Sequence, residues 1–357
     1  MSNPAVRVRL FGTLERGEQV QLWTLEQVTL SVSISEWGAT IQSVRVPDRA
    51  GRIDEVALGF PRLEQYLDQK YLASNPYFGS TIGRYANRIA GGQFELDGVR
   101  YQIPCNDRRN SLHGGERGFD QRPWKSTPLP DGVKMTRTAA DGEEGFPGAL
   151  EVAVDFRLAG GALQIEYSAR TDQKTVVNLT NHTYWNLAGE GVDSATSQVL
   201  RVDADSYLPV DEMLIPIGTL EPVAESPFDF RQPSRIAGHL RRAHRQLEWA
   251  GGIDHTFVLR PPSEPGMLRT AMTLSDPASG RMLTITTSEP GLQVYTGNFL
   301  DGTFRGHSGR PYKYRSGLAF EPQHFPDSPN RPAFPTTELA PGKRFHSITR
   351  YGFGLTR

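Results

Sequence analysis

The residue types best suited to chemistry are concentrated in residues 181–186, Asn-His-Thr-Tyr-Trp-Asn, which directly follow the mainly β-branched run 175–179. Amides and hydroxyls can hydrogen-bond the hydroxyl groups of a sugar, aromatic faces can cover its C–H surface, and a histidine can move a proton near neutral pH. The plain alternative is that these polar groups only satisfy the backbone where a strand ends. Their density favours a ligand site to which His182 and Tyr184 contribute.

Further candidates lie at the ends of predicted strands elsewhere in the chain. An Asn-Arg pair ends a glycine-containing stretch, and a histidine precedes a glycine pair where the backbone can bend closely around a ligand. In a β-sandwich such groups can meet on one concave face. A carboxylate and a histidine surrounded by neutral donors are suited to general acid–base chemistry on a sugar. The candidates are Asn87, Arg88, His113, Asp254, Gln293 and Glu321.

Several common catalytic motifs are absent from the sequence. There is no Gly-x-x-x-x-Gly-Lys loop and no Gly-x-Gly-x-x-Gly after a strand, which argues against a nucleotide site. His-Glu-x-x-His and Gly-x-Ser-x-Gly are also missing, and the 8 histidines show no spacing typical of zinc. A single cysteine, Cys105, excludes an intramolecular disulfide and a cysteine-built metal site. The sequence therefore predicts neither a metal nor another cofactor.

The composition argues against several classes of partner. Lys and Arg number 39 against 40 Asp and Glu, so the formal net charge of -1 gives no attraction to nucleic acid or to an anionic membrane. No apolar run is long enough to span a bilayer, and the N-terminal residues lack the apolar segment of a signal peptide. We therefore expect a cytoplasmic protein that binds neither nucleic acid nor a membrane.

Period-two alternation of apolar and polar residues predicts half-buried antiparallel strands along most of the chain. It is clear in residues 6–11, 28–34 and 149–157, and a further strand is expected at 54–60. Asp97-Gly98 lies between two alternating arms and predicts a two-residue hairpin turn.

Helix signals are few, and the best candidate covers residues 233–248. Neither a shift in composition nor an internal repeat marks a domain boundary. We predict one all-β domain over residues 1–357, a large antiparallel β-sandwich with few short helices.

Six blocks of the sequence resemble the aldose 1-epimerase (galactose mutarotase) family. The block Asn-His-Thr-Tyr-Trp-Asn-Leu at 181–187 is specific, and the blocks follow the family's order over nearly the whole chain. The fold of that family, a galactose mutarotase-like β-sandwich, agrees with the strand pattern. The other blocks are residues 87–89 (Asn-Arg-Ile), 112–115 (Leu-His-Gly-Gly), 252–255 (Gly-Ile-Asp-His), 290–298 (Pro-Gly-Leu-Gln-Val-Tyr-Thr-Gly-Asn) and 321–323 (Glu-Pro-Gln).

The resemblance implies a role for each candidate. It implies that Glu321 is the general base that takes the proton from the C1 hydroxyl, and that His182 is the general acid that protonates the ring oxygen. The ring opens, the C1–C2 bond rotates, and closure on the other face gives the other anomer. We add Tyr184 and Tyr295 as walls of the site. The residues that the resemblance assigns to holding sugar hydroxyls or the ring oxygen are Asn87, Arg88, His113, Asp254 and Gln293.

The expected activity is therefore that of an isomerase acting on free aldohexoses such as glucose and galactose, as a monomer or homodimer. Sugars interconvert their anomers spontaneously, so an acid and a base worth roughly 10²–10⁴-fold each suffice without a cofactor. Arg84 and Arg88 are too few to indicate a phosphate pocket. Tyr85 stands where the family usually has a small apolar residue, and the sequence does not indicate what this changes.

Two other functions are compatible with the residues. Asp254 and Glu321 could be the two carboxylates of a glycoside hydrolase, although His182 would then have no evident task. A non-catalytic sugar-binding module could share the fold without the chemistry. The presence of both Glu321 and His182 argues against the second alternative.

Overall fold

Strands follow one another along nearly the whole chain in the computed structural model, which describes residues 4–264 and 266–356. In this described part of the chain, four short helices and several single 3₁₀ turns lie between the strands. The helices are α1 Leu63–Tyr66, α2 Gln69–Ser74, α3 Ile236–Leu240 and α4 Arg245–Ala250. The strands are β1 Ala5–Thr13, β2 Gln19–Gln27, β3 Leu30–Ser35, β4 Thr40–Pro47, β5 Ile53–Glu55, β6 Thr81–Ile82, β7 Arg88–Ile89, β8 Gln93–Leu96, β9 Val99–Gln102, β10 Ser111–Leu112, β11 Lys125–Leu129, β12 Gly132–Ala139, β13 Leu150–Ala159, β14 Ala162–Thr171, β15 Thr175–Val176, β16 Thr180–Asn181, β17 Tyr184–Trp185, β18 Val199–Val202, β19 Ala204–Tyr207, β20 Glu221–Pro222, β21 Ser234–Arg235, β22 Asp254–Leu259, β23 Arg269–Ser275, β24 Arg281–Thr287, β25 Gly291–Tyr295, β26 Leu318–Gln323, β27 Glu338–Leu339 and β28 Phe345–Leu355.

Three large antiparallel sheets form the body of the protein. One has the order β1-β2-β3-β4-β5, the second β11-β12-β13-β14-β28-β24-β23-β18-β21, and the third β17-β26-β25-β22-β19-β20. The last strand, β28, lies in the middle of the nine-stranded sheet between β14 and β24. Because strands distant in sequence are neighbours here, the sheets are completed only when the whole chain has folded.

The core lies between these sheets. Along β13 the burial alternates strictly, so every second side chain points inward. Inward-facing apolar side chains from all three large sheets, among them Val32, Val154, Ile285 and Val294, belong to one continuous buried cluster. Burying one such side chain stabilises the fold by about 1.5–3 kcal/mol. We propose that the described chain forms one domain, because this single cluster joins the three sheets.

Most predicted elements agree with the structure, and two differ. Asp97-Gly98 joins β8 to β9, with Leu96 paired to Val99, so the predicted hairpin is present. The expected strand at 54–60 ends at Glu55. Val56 N–H still donates to the Val44 carbonyl, but the chain then leaves β4, and Ala57 forms an isolated bridge with Trp185 instead.

The predicted helix at 233–248 was wrong as a single element. The chain instead forms α3 and α4, separated by residues 241–244. His244 caps α4, since its Nδ1 accepts the backbone N–H of Gln246 at 3.3 Å. Among the described residues, no helix is long and apolar enough to cross a membrane.

Candidate active site

Three adjacent strands of the six-stranded sheet carry polar side chains on one face. Gln293 of β25 lies directly opposite Glu321 of β26, and Thr256 of β22 lies opposite Gln293. Side chains opposite one another in an antiparallel pair share a face. Asp254 and Tyr295 form the next such pair of the same two strands, β22 and β25. The sheet register therefore brings together groups that are 67 positions apart from Asp254 to Glu321 (321 − 254).

A short ribbon places the second group of candidates. β7 pairs with β10, with Leu112 opposite Arg88, so that Asn87 and His113 come together just beyond the ribbon. The backbone N–H of Asn87 donates to His113 Nδ1 at 3.1 Å, and the His113 N–H donates to the Asn87 carbonyl at 3.2 Å. Both residues have positive φ, 65° and 53°, and these mutual hydrogen bonds hold them in that unusual conformation.

His182 is held between β16 and β17 by its backbone. Its N–H donates to the carbonyl of Ser80 at 2.9 Å, and its carbonyl accepts the N–H of Gly79 at 3.1 Å. The side chain makes no hydrogen bond to the described residues and lies among aromatic rings, 5.3 Å from His113, 5.0 Å from Tyr184 and 5.7 Å from Tyr77 between ring centroids.

These elements surround a cavity of about 830 Å³. Its size suits a small-molecule ligand. Seven of the eight candidates expected from the sequence line it: Asn87, Arg88, His113, His182, Tyr184, Asp254 and Glu321. Tyr295, the other wall residue expected from the sequence, lines it as well.

A histidine and a carboxylate face each other in this cavity. His182 Nε2 lies 3.6 Å from Glu321 Oε1, beyond direct hydrogen-bond distance. Burial lowers the pKa of His182 to about 4. Burial also raises the pKa of Glu321 well above its ordinary value; the negative charge of Asp254 adds to this effect, and Arg88 opposes it. Burial therefore makes the carboxyl group, rather than the imidazole, the preferred position of a single proton on the pair.

The surroundings of Glu321 explain this preference. Its Oε2 atom is buried, and no donor of the described residues reaches the carboxyl group. A carboxylate that loses water and gains no hydrogen bond in return is strongly disfavoured. A bound ligand that donates a hydrogen bond to Glu321 would supply what the protein does not.

Asp254 is held from two sides. Gln293 Nε2 donates to its Oδ1 at 2.6 Å, while Arg88 Nη1 lies 3.9 Å from its Oδ2. The Gln293 amide oxygen in turn accepts the Thr256 hydroxyl at 2.5 Å. Burial raises the pKa of Asp254, and Arg88 and the Gln293 hydrogen bond counteract that effect. Gln293 thus lies behind Asp254 rather than at the cavity wall, which differs from the expected direct contact with a sugar.

A metal ion would find three candidate ligands here. Ligand atoms of His113, His182 and Glu321 lie within 4.8 Å of one another. However, His113 Nδ1 already accepts a backbone N–H from Asn87, so the neutral ring carries its proton on Nε2. That nitrogen is a hydrogen-bond donor and offers no lone pair to a metal. The cluster is better suited to donating to an oxygen atom of a ligand.

Several residues that the sequence brought to notice are structural. In residues 181–186, Asn181 donates to the Gly79 carbonyl and accepts from Thr183, and Asn186 donates to the Ser316 carbonyl. Their polar groups satisfy the backbone, as the plain alternative supposed, whereas His182 and Tyr184 line the cavity.

Arg84 and Tyr85 lie outside the cavity lining. The Arg84 Nη1 atom donates to the carbonyls of Pro147 and Gly148, each at 2.8 Å. Tyr85 is buried in a small apolar cluster with Ile89 and Phe94. The unusual residue at position 85 therefore contributes to packing rather than to the wall of the cavity.

Sequence reasoning missed much of the lining, including two loop residues and two aromatic residues that follow β25. Tyr77 and Asp107 lie on loops that carried no motif, and Phe299 and Phe304 belong to the loop after β25. Phe299 is 67% exposed and stacks on Tyr295 at 6.2 Å between centroids. Of these residues, only Phe299 directly follows one of the blocks already noted, residues 290–298.

Comparison with known proteins decides the family. A family model described as Aldose 1-epimerase matches residues 21–352. The chain is 44% identical over 347 residues to the galactose mutarotase of Rattus norvegicus, covering 97% of this chain and 98% of that protein. The chain belongs to the aldose 1-epimerase family. It is also 37% identical over 342 residues to the aldose 1-epimerase of Escherichia coli (strain K12), covering 94% and 96% of the two chains.

Solved structures agree with this aldose 1-epimerase assignment. The structure of the galactose 1-epimerase from Lactobacillus acidophilus matches with a TM-score of 0.85 and 27% identity, covering 99% of this chain and 100% of that one. The predicted family, the antiparallel β fold with few short helices, and the isomerase class are thereby confirmed. The comparisons support neither a glycoside hydrolase nor a non-catalytic module.

Proposed function

We propose that this aldose 1-epimerase interconverts the α and β anomers of free aldohexoses such as glucose and galactose, with Glu321 and His182 as its catalytic residues. The observation that carries the proposal is the isolated pair of a buried carboxyl group and a buried imidazole, 3.6 Å apart, in a cavity rich in hydrogen-bonding groups. The name of the Rattus norvegicus relative, galactose mutarotase, supports galactose as one substrate.

The spacing of the pair suits the two oxygen atoms of an anomeric centre. The C1 hydroxyl and the ring oxygen are bonded to the same carbon, so a base and an acid that act on them must be close neighbours. Glu321 takes the proton of the C1 hydroxyl as His182 gives a proton to the ring oxygen, and the C1–O5 bond breaks. Rotation about C1–C2 presents the other face of the aldehyde, and the same two transfers in reverse close the ring.

The proton balance fits this cycle. One proton resides on the pair at the start and at the end, and only its position changes. Burial by the protein favours the neutral arrangement with the proton on Glu321. A bound sugar that donates its C1 hydroxyl to the carboxylate and accepts at its ring oxygen favours the ionised arrangement, which is the reactive one.

The remaining lining residues supply the grip on the sugar. The hydrogen bond from Asn87 N–H to His113 Nδ1 places the ring proton on Nε2, which can donate to a sugar oxygen. Arg88 offers further donors, and Asp254 offers an acceptor. Acidic groups outnumber the basic ones in the lining, where Glu116, Asp107, Asp254, Asp301 and Glu321 accompany Lys70 and Arg88. This balance supports an uncharged sugar rather than a phosphorylated one.

The proposal is tested by following the optical rotation of freshly dissolved α-glucose and α-galactose with and without the protein. We expect the protein to accelerate the approach to anomeric equilibrium without changing its end point, because both anomers are substrates. Heat-denatured protein at the same concentration is the control. An unchanged rate with both sugars contradicts the proposed activity.

The pH dependence follows from the single proton on the pair. We expect a bell-shaped profile of kcat/KM, which reports groups in the free enzyme. Below about pH 4 a second proton, on His182, leaves no base, and above the raised pKa of Glu321 the loss of the last proton leaves no acid. Initial rates corrected for the uncatalysed reaction at each pH provide the measurement. An acid limb near 6.5, the ordinary pKa of histidine, contradicts the buried neutral pair.

A further inference from the structure

We propose that Asp107 is a positioning residue that holds the guanidinium group of Arg88 away from Asp254, so that both groups remain available to the hydroxyls of the sugar. The inference rests on the proposed function, since it concerns how the same cavity binds its substrate. Asp107 lies on the loop between β9 and β10 and lines the cavity.

Arg88 lies between two carboxylates and forms a hydrogen bond with only one of them. Its Nε donates to Asp107 Oδ2 at 2.7 Å, whereas its Nη1 stays 3.9 Å from Asp254 Oδ2. The side chains of Arg88, Asp107 and Asp254 are 9%, 23% and 11% exposed. Solvent screens these interactions weakly, so the choice of partner has a substantial energetic consequence.

The pairing through Nε leaves the rest of the guanidinium group uncommitted. Nη1 and Nη2 make no hydrogen bond to the described residues, and Arg88 lines the cavity. Asp254 uses Oδ1 to accept from Gln293, and its Oδ2 accepts no hydrogen bond from the described part of the chain. The site thus presents separate donors and a separate acceptor, an arrangement that suits neighbouring sugar hydroxyls.

Asp107 is fixed well enough to hold a partner in place. Asp107 and Asn110 exchange backbone hydrogen bonds at 3.1 and 2.9 Å across a tight turn. The Asn110 side chain accepts from Gly91 N–H at 3.1 Å, and Asn106 donates to the carbonyls of Leu112 and Gly115 at 3.0 and 2.8 Å. Within the described chain, the Asp107 carboxylate accepts one hydrogen bond, and its donor is Arg88.

Without Asp107, the nearest carboxylate for Arg88 is Asp254. A movement of about 1 Å brings Nη1 to the distance of a charge-assisted hydrogen bond, and the planar fork of arginine then favours a bidentate pair. Such a pair would use the donors and the acceptor that the sugar requires. The consequence is weaker binding of substrate, while the proton transfers at Glu321 and His182 remain possible.

The experiment compares Asp107→Asn, Asp107→Glu and a matched control, Asp97→Asn. Asp97 is an exposed residue of the Asp97-Gly98 turn and pairs with Lys174 at 2.6 Å, and Asn before Gly is equally well suited to a turn of this type. For Asp107→Asn we expect the Kd for galactose and glucose, measured by calorimetry, and the KM to rise about tenfold, as for the loss of one charge-assisted contact. We expect kcat to change by less than about threefold, Asp107→Glu to recover most of the affinity, and Asp97→Asn to match the wild type.

The inference is overturned if Asp107→Asn binds both sugars as tightly as the wild type, or if kcat falls while Kd stays constant. It is also overturned if Asp107→Glu is no better than Asp107→Asn, since the carboxylate itself must be what acts. The proposed function fails if the wild type binds sugar but does not accelerate anomerisation. The role of Asp107 is still decided in that case, because the ratio of the Kd of Asp107→Asn to that of the wild type does not depend on a catalysed rate. A wild type that binds neither sugar overturns both.

Discussion

Replacing Glu321 with Gln is expected to lower the catalysed rate of anomerisation by about 10³-fold, the largest effect of any single change in the cavity. Gln has nearly the same shape and keeps the buried position, but it cannot take the proton of the C1 hydroxyl. Binding of sugar should persist, because Glu321 makes no hydrogen bond on which the arrangement of the other described residues depends. The measurement is kcat from optical rotation together with Kd from calorimetry.

Loss of the fold is excluded as a cause by thermal unfolding of the same variant. Burial raises the pKa of Glu321 above its ordinary value of 4.5. The stability that the protonated group contributes is therefore fully present below pH 4.5 and is lost as the pH rises through the pKa of Glu321 in the folded protein. Glu321→Gln should therefore match the wild type in acid and exceed its unfolding temperature at alkaline pH. Exposed Glu338→Gln is the matched control and should alter neither quantity. If Glu321→Gln kept most of the catalysed rate, Glu321 would not be the general base.

The strands and turns could be predicted because their signals are local. Alternation fixes which side chains of β13 point inward, and Asp97-Gly98 favours a tight hairpin whatever surrounds it. The prediction of a single helix at 233–248 failed because a pattern of apolar residues does not show that one helix will end at Leu240 and that His244 will cap another. Interruptions of this kind depend on single side-chain hydrogen bonds.

The candidate site could be predicted only in part, because its contacts are non-local. In residues 181–186 the sequence offered equivalent polar groups. The pairing of β16 with β6, in which Asn181 lies opposite Thr81, commits Asn181 to the backbone and leaves His182 at the cavity. Gln293 and Tyr295 lie two residues apart in β25, so strand geometry places both on one face. It did not reveal that Gln293 would support Asp254 instead of lining the cavity.

Asp107 shows the limit most clearly. In the sequence it is one acidic residue in a polar loop next to Arg108 and Arg109, and the simplest interpretation is a solvated turn. Only the ribbon of β7 and β10, which places residues 88 and 112 opposite each other, brings its carboxylate to Arg88. A family motif does not indicate such a residue, because it acts through a neighbour and belongs to no block.

The second large effect is expected at His182, where removal of the ring should be partly reversible. His182→Ala should lower kcat by roughly 10²-fold or more, because no acid remains for the ring oxygen. The backbone hydrogen bonds of residue 182 to Gly79 and Ser80 do not involve the side chain and should hold the turn in place. The rings of Tyr77, His113 and Tyr184 should likewise preserve a ring-sized space beside Glu321.

Added imidazole should therefore restore part of the activity of His182→Ala, and substituted imidazoles should do so to an extent that varies with their pKa, as expected for proton transfer in the transition state. Free imidazole also catalyses anomerisation in solution, so the same additions to buffer and to Glu321→Gln are the controls, and neither should show saturable rescue. In the rescued variant the acid limb of the pH profile should lie above the value of about 4 for buried His182, because a diffusible imidazole is protonated in water before it enters the cavity. Rescue that is absent, or that is equal in Glu321→Gln, would show that the ring of His182 shapes the cavity without transferring a proton. Saturable rescue confined to His182→Ala would identify the imidazole as the acid and, since the same group must accept the proton when the ring closes, as the base of the return step.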